Sequence, residues 1–128
     1  MIDGILCEAI AVSLRARYPS VYVGLPQDDG RISMPCLILE LRSDSVVGSP
    51  LERGHLTVLV CSQADDATPS QHAEFTHDVA TFMRTLTIAS DRVQLYNYPV
   101  TVASDQQHAE RHWQTPLTYT LGFGPVNL

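Results

Sequence analysis

Two neighbouring segments, Cys-Leu-Ile-Leu-Glu-Leu from Cys36 and His-Leu-Thr-Val-Leu-Val-Cys-Ser from His55, carry apolar side chains on both faces of an extended chain. Successive side chains of a strand point to opposite sides, so Leu37, Leu39 and Leu41 share one face and Cys36, Ile38 and Glu40 the other. In the second segment Leu56, Val58 and Val60 oppose Thr57, Leu59 and Cys61. Strands of this kind need cover on each side. One face is accounted for by helices of the same chain. Ile38, Leu59 and Cys61 still need cover, as do Tyr96 and Tyr98 if they fall on that side, because large exposed apolar patches mark interfaces. Docking of copies of the chain, as a closed ring or as a sheet extended between subunits, is the economical solution. A three-layer monomer with the first helix on the second face is the alternative.

The rest of the chain supplies the helices. Ile2, Ile5, Leu6, Ala9, Ile10 and Leu14 recur at helical spacing, which predicts a helix from Ile2 to Arg17, stopped by Pro19. "SVYVGLP" follows as a short strand, and "RSDSVVGSPLERG" separates the two apolar strands as a long hairpin tip or a flexible loop. Thr68-Pro69-Ser70-Gln71 combines an N-cap threonine, proline at the first helical position and glutamine at the capping-box position. Phe75, Val79, Phe82, Met83 and Leu86 then make one apolar face, giving a second helix from Pro69 to about Leu86. Two further strands close the chain. One lies around "RVQLYNYPVTVAS", where Pro99 suggests an edge or a bulge. The other, "WQTPLTYTLGFG", places Leu117, Tyr119, Leu121 and Phe123 on one side. The expectation is a single α+β domain over residues 1–128, with a mainly antiparallel four- to five-stranded sheet packed with two main helices.

The tetrapeptide Gln-His-Ala-Glu occurs at Gln71–Glu74 and again at Gln107–Glu110, and each copy holds the His-x-Glu pair of zinc deaminases. Those enzymes also need Pro-Cys-x-x-Cys downstream, so that one histidine and two thiolates hold the ion while the glutamate moves protons. No cysteine follows either copy, and Pro35-Cys36 lies upstream with no second thiol beside it. His72 and His77 are five positions apart, about 140° around a helix, and cannot clamp one ion. His108 and His112 are spaced for a helical face but sit in turn-like composition, and the second tetrapeptide reads as a turn before Trp113. Asp28-Asp29 and Asp65-Asp66 read as polar turn punctuation. There is no Gly-x-Ser-x-Gly elbow and no phosphate-cradling glycine loop. The residues therefore point to no catalytic group, no metal and no cofactor.

Composition bounds the partners. The 128 residues are 45% hydrophobic and only 17% charged, with a formal net charge of −6. All eight basic residues are arginines and none cluster, so there is no general drive towards phosphate backbones. Cys7, Cys36 and Cys61 form an odd set without Cys-x-x-Cys, each in an apolar run, which reads as reduced thiols in a protein assembled in the cytosol. The N-terminus lacks the basic region of a secretory signal, and no stretch approaches the ~18–20 apolar residues that span a bilayer, so no membrane is expected.

Taken together, "RARYPSVYVGLP", "MPCLILEL", "DSVVGSPLERG" leading into "HLTVLVCSQ", "TPSQHAEFTHDVATFMRTL" and "ERHWQTPLTYTLGF" resemble the tail terminator, or tail completion, proteins of long-tailed phages, over nearly the whole chain. The resemblance implies a homo-oligomer, a hexameric ring in the tail and neck of the virion. It would cap the tail tube protein, join it to the head-completion proteins of the neck, and pass DNA through an acidic lumen without binding it specifically. The loop Asp44–Gly54, with Asp44, Val46, Val47, Leu51, Glu52 and Arg53, is the candidate for contacts with the next ring or the lumen. Ile38, Leu59, Tyr96 and Tyr98 are candidates for contacts between neighbours, with helix one and the edge strands. The alternatives are another head–tail connector ring, such as a head-closure or neck adaptor protein, and a small metal-dependent hydrolase or deaminase-like enzyme.

Overall fold

A computed structural model describes residues 2–24, 33–45, 51–63, 68–96, 100–104, 107–109 and 112–126. The elements run α1 (Ile2–Arg15), β1 (Val21–Val23), β2 (Cys36–Ser45), β3 (Glu52–Gln63), α2 (Pro69–Arg84), β4 (Val93–Leu95), β5 (Val100–Ser104), β6 (Gln107–Ala109) and β7 (His112–Pro125). The fold is α+β, with two helices against a mostly antiparallel sheet in the order β1-β2-β3-β7-β4.

β3 is the centre. It pairs antiparallel with β2 from Cys36↔Cys61 to Ser45↔Glu52, and with β7 from Glu52↔Phe123 to Gln63↔His112. The far border of β7 is shared by β4, β5 and β6, each antiparallel to it. All three come from the stretch of chain before β7. A register shift between Thr101 and Ala103 marks one irregularity in it, and Pro99 lies outside the described residues. β6 corrects the expectation of a turn over the second tetrapeptide. Gln107, His108 and Ala109 pair with Gln114, Trp113 and His112, because the long β7 offers a ladder that polar side chains can join as well as apolar ones. The only parallel pairing among the described residues is β1 with β2, Val21↔Leu37 to Val23↔Leu39.

Both helices lie on the same face of the sheet, so the three-layer monomer is not the solution this chain adopts. Leu6, Ile10 and Leu14 of α1 and Val79 and Met83 of α2 pack with Leu37, Leu39, Leu56, Val58, Val60, Leu117, Tyr119, Leu121 and Phe123 in one core. The strand residues are those that alternation assigned to this side. Gly54 belongs to the same face. A Cβ placed there would meet Leu121 Cδ1 at 2.9 Å, Phe123 Cε1 at 3.1 Å and Leu41 Cδ1 at 3.2 Å, so the missing side chain is the space those three occupy.

Helix ends follow local chemistry. α1 stops two residues short of the expected Arg17, because Pro19 disfavours helical geometry at Tyr18; the amides of Arg17 and Tyr18 fold back onto Leu14 O at 3.0 and 2.7 Å. At α2 the capping box is present: the Gln71 amide donates to Thr68 Oγ1 at 3.2 Å and the Thr68 amide to Gln71 Oε1 at 2.9 Å.

The two helices are clamped where α1 ends. Tyr18 Oη donates to Asp78 Oδ2 at 2.6 Å, and Arg17 forks onto the same carboxylate at 3.1 and 2.7 Å. The Tyr18 ring meets Phe75 and Phe82 edge-on, with centroids 5.9 and 6.0 Å apart. Hydrogen bonds from Arg17 and Tyr18 hold the Asp78 carboxyl below its ordinary range, while burial and then Asp78 push the Tyr18 phenol up to about 12. Tyr18→Phe is expected to lower the unfolding free energy by about 1 kcal/mol in urea titration, the modest value of a bond to a half-exposed carboxylate. No loss would mean that the aromatic contacts alone hold the helices.

Candidate assembly surface

β1 borders only Leu37–Leu39 of the ten-residue β2. The Leu37 amide donates to Ser20 O at 2.9 Å and Leu39 O accepts from the Gly24 amide at 2.8 Å. The odd-numbered residues of β2 therefore turn their peptide groups away from β3. Past Leu39, Leu41 and Ser43 present that edge with no partner strand among the described residues. An edge of this kind is a template for another strand. Beside it lies a groove of about 390 Å³, lined by Gly4 and Cys7 of α1, Val23 and Gly24 at the end of β1, and Leu39–Arg42. Val23 is 46% exposed at its rim, and Val12 on α1 is 54% exposed. Arg15 fixes the geometry by donating to Val21 O from Nε and Nη2, at 3.3 and 3.1 Å, while Nη1 reaches Glu8 at 2.9 Å.

The residues singled out from sequence fall in separate places. Asp44, Glu52 and Arg53 are not in a loop. Asp44↔Arg53 and Ser45↔Glu52 extend the β2–β3 ladder, so the hairpin arms run further into the Gly/Ser/Pro-rich segment than its composition suggested. Backbone pairing along a long hairpin, backed by β7, tolerates side chains that would not nucleate a strand alone. Leu51 is half-buried and lines a shallow groove with Arg53, His55 and Thr120. Val46, Val47 and Tyr98 lie outside the described residues.

Ile38 and Leu59 are register partners on the helix-free face, as alternation required. Ile38 is 6% exposed and Leu59 half-buried, so the chain itself already covers part of this face. Cys36, Ile38 and Cys61 form a second small cluster with Tyr22, Met34 and Leu59 packed against it. Tyr22 is anchored by the Ser33 amide, which donates to its hydroxyl at 3.0 Å. The chain thus supplies part of its own cover from β1 and the segment before β2. Tyr96, at the end of β4 on the opposite border, is 41% exposed, and its hydroxyl donates to Pro125 O at 3.2 Å. It belongs to a wider groove of about 670 Å³, with Leu86, Ile88, Val93 and Leu95.

The most interior polar group is one the sequence did not single out for this role. His72, in the first turn of α2, is fully buried. Its Nδ1 is 2.7 Å from Ser62 Oγ on β3 and its Nε2 is 3.0 Å from Thr115 Oγ1 on β7, with Thr76 Oγ1 at 3.4 Å. Its partners are hydroxyls, which donate or accept as required, so the neutral ring is satisfied in either tautomer. Burial holds its pKa below the ordinary histidine value. A polar position in the alternation of both strands, Ser62 after Val60 and Thr115 before Leu117, was the available signal. Among the described residues, no three histidine, cysteine or acidic side chains gather in a metal-holding geometry, and no helix is long and apolar enough to cross a membrane.

No family model matches the chain, and no curated protein is similar to it. Solved structures do match. One is 15% identical over 99% of this chain and 94% of its own, with a TM-score of 0.55. At that identity the likeness concerns the fold alone.

Proposed function

We propose that this chain is a ring-forming structural subunit of a phage particle, a tail terminator that closes the tail tube and joins it to the neck. The observation that carries the reading is the edge of β2 beyond β1, which has no partner strand among the described residues and is flanked by the Val23 groove. In this reading a neighbouring copy adds its own backbone to that edge, extending the sheet from subunit to subunit until a hexamer closes. A heterologous contact closes into a ring when its rotation divides the circle, and otherwise makes a filament. The hairpin arms Glu40–Ser45 and Glu52–Thr57 extend past β1, and in this reading they meet the next ring or the lumen. The net charge of −6 suits a passage through which DNA slides without sticking. The work is steric and electrostatic, with no catalytic step, metal or cofactor, and its setting is the tail and neck of a virion assembled in the host cytoplasm.

Ser43→Pro tests it. Proline removes an amide that faces the open edge and leaves the β3 ladder intact. The native chain is expected to give the mass of six copies by light scattering, and rings by electron microscopy, alone or on purified tail tubes. The variant is expected to keep the circular dichroism of the native fold and to lose the ring. Native chain that stays monomeric at high concentration and on tubes would overturn the proposal. Tails that overgrow without the protein would separate a terminator from a head-closure ring.

A further inference from the structure

Cys36 and Cys61 stand directly opposite each other in the β2–β3 ladder, on the helix-free face. Because the odd residues of β2 bond towards β1, Cys36 and Cys61 are a hydrogen-bonded pair. Their Cβ atoms are at the wide end of the about 4.5–5.5 Å range for opposed residues, about 1 Å beyond the ~3.5–4.5 Å that a disulfide spans. The two thiols belong to one buried cluster and are 1% and 2% exposed. Tyr22, Met34 and Leu59 pack around them, so no acid or base intervenes among the described residues of that cluster. Cys7 lies on the other side of the sheet, in the main core with Leu6 and Ile10. The chain therefore has one pair of sulfurs aligned by backbone register and a third kept away from it.

We infer that Cys36 and Cys61 are a redox site, a dithiol that a peroxide converts to a disulfide stapling β2 to β3. The register sets the two sulfurs symmetrically, so whichever loses its proton attacks and the other resolves; with Cys36 attacking, Cys61 resolves. The Cys36 thiolate attacks one peroxide oxygen, the O–O bond breaks, and the departing hydroxide takes a proton to leave as water. Cys36 is then a sulfenic acid. The Cys61 sulfur attacks it, the S–S bond forms, and the sulfenyl hydroxyl leaves as a second water with the Cys61 proton. Two thiols and one hydrogen peroxide give one disulfide and two waters. The strands must draw in slightly for the bond to close, and a strained disulfide is a readily reduced one. The staple is therefore reversible: open in a reducing cytosol and closed once the protein meets an oxidising medium. The inference rests on the strand register and stands whether or not the chain forms a ring.

The test uses the full chain and hydrogen peroxide as the probe. After stoichiometric oxidation, denaturation and alkylation, one of the chain's three cysteines is expected to take the label, and peptide mapping should place it at Cys7. The Cys36–Cys61 peptides should be joined and lighter by two hydrogens, and dithiothreitol should restore all labels. In Cys61→Ser the sulfenic acid has no resolving thiol, so dimedone should label Cys36 there and not in the native chain. Three alkylated cysteines after peroxide, a linkage that includes Cys7 or a second chain, or equal dimedone labelling of both proteins would overturn the inference.

Discussion

His72→Ala is expected to lower the unfolding free energy by about 2–4 kcal/mol in urea titration at neutral pH. The substitution empties a fully buried site and strands two hydroxyls that have little access to water, Ser62 at 4% and Thr115 at 3% exposure. An orphaned buried polar group costs about 1–3 kcal/mol, and the cavity adds to it. The same ring sets a pH dependence of definite sign. Burial lowers the folded pKa below the unfolded value of 6.5. Above that value both states hold the ring neutral and its contribution is constant. As pH falls through 6.5 the unfolded chain takes up a proton that the folded chain refuses, so stability declines, by at most about 1.4 kcal/mol per pH unit, until the folded pKa is reached. His72→Leu removes the proton site, so the difference between native and variant stability should shrink on acidification over this window. A difference independent of pH would show that the ring is not held neutral.

Gly54→Ala is expected to cost about 1–3 kcal/mol, an unusual penalty for adding one methyl to a strand. The new Cβ would lie within 3.2 Å of three core side chains, Leu121 the nearest. Leu121→Ala alone should cost about 2–5 kcal/mol, since that side chain is 2% exposed. The two changes should not add. Removing Leu121 opens the space the alanine methyl needs, so the double variant should be more stable than the sum of the single effects by about 0.5 kcal/mol or more. Thermal and urea unfolding of the four proteins would measure the coupling, and strict additivity would mean that the glycine is there for some reason other than room.

Much of the architecture was legible because it rests on periodicity. The faces of β2, β3 and β7 follow from alternation, and both helices follow from spacing, with Thr68 and Gln71 marking one start to the residue. What escaped were features whose cause lies in a partner strand. Polar Gln107–Ala109 is a strand because β7 offers it a ladder, and Asp44, Glu52 and Arg53 are in strands because the hairpin between them continues. His72 looked like part of a metal motif only while its neighbours along the chain were considered; its partners come from 10 and 43 residues away. Ile38 was correctly placed on the second face, but the cover from Tyr22 and Met34 could not be read from alternation, which assigns faces without saying what lies over them.

β7 has unequal flanks. One is a single ladder to β3 running from Glu52↔Phe123 to Gln63↔His112 without a shift; the other carries a register slip between Thr101 and Ala103. A slip interrupts the ladder, and interrupted pairing opens locally at lower free energy than a continuous one. Amides of Val100–Ser104 and Gln107–Ala109 should therefore take up deuterium well before those of β3, which is paired on both sides, giving the sheet one compliant margin.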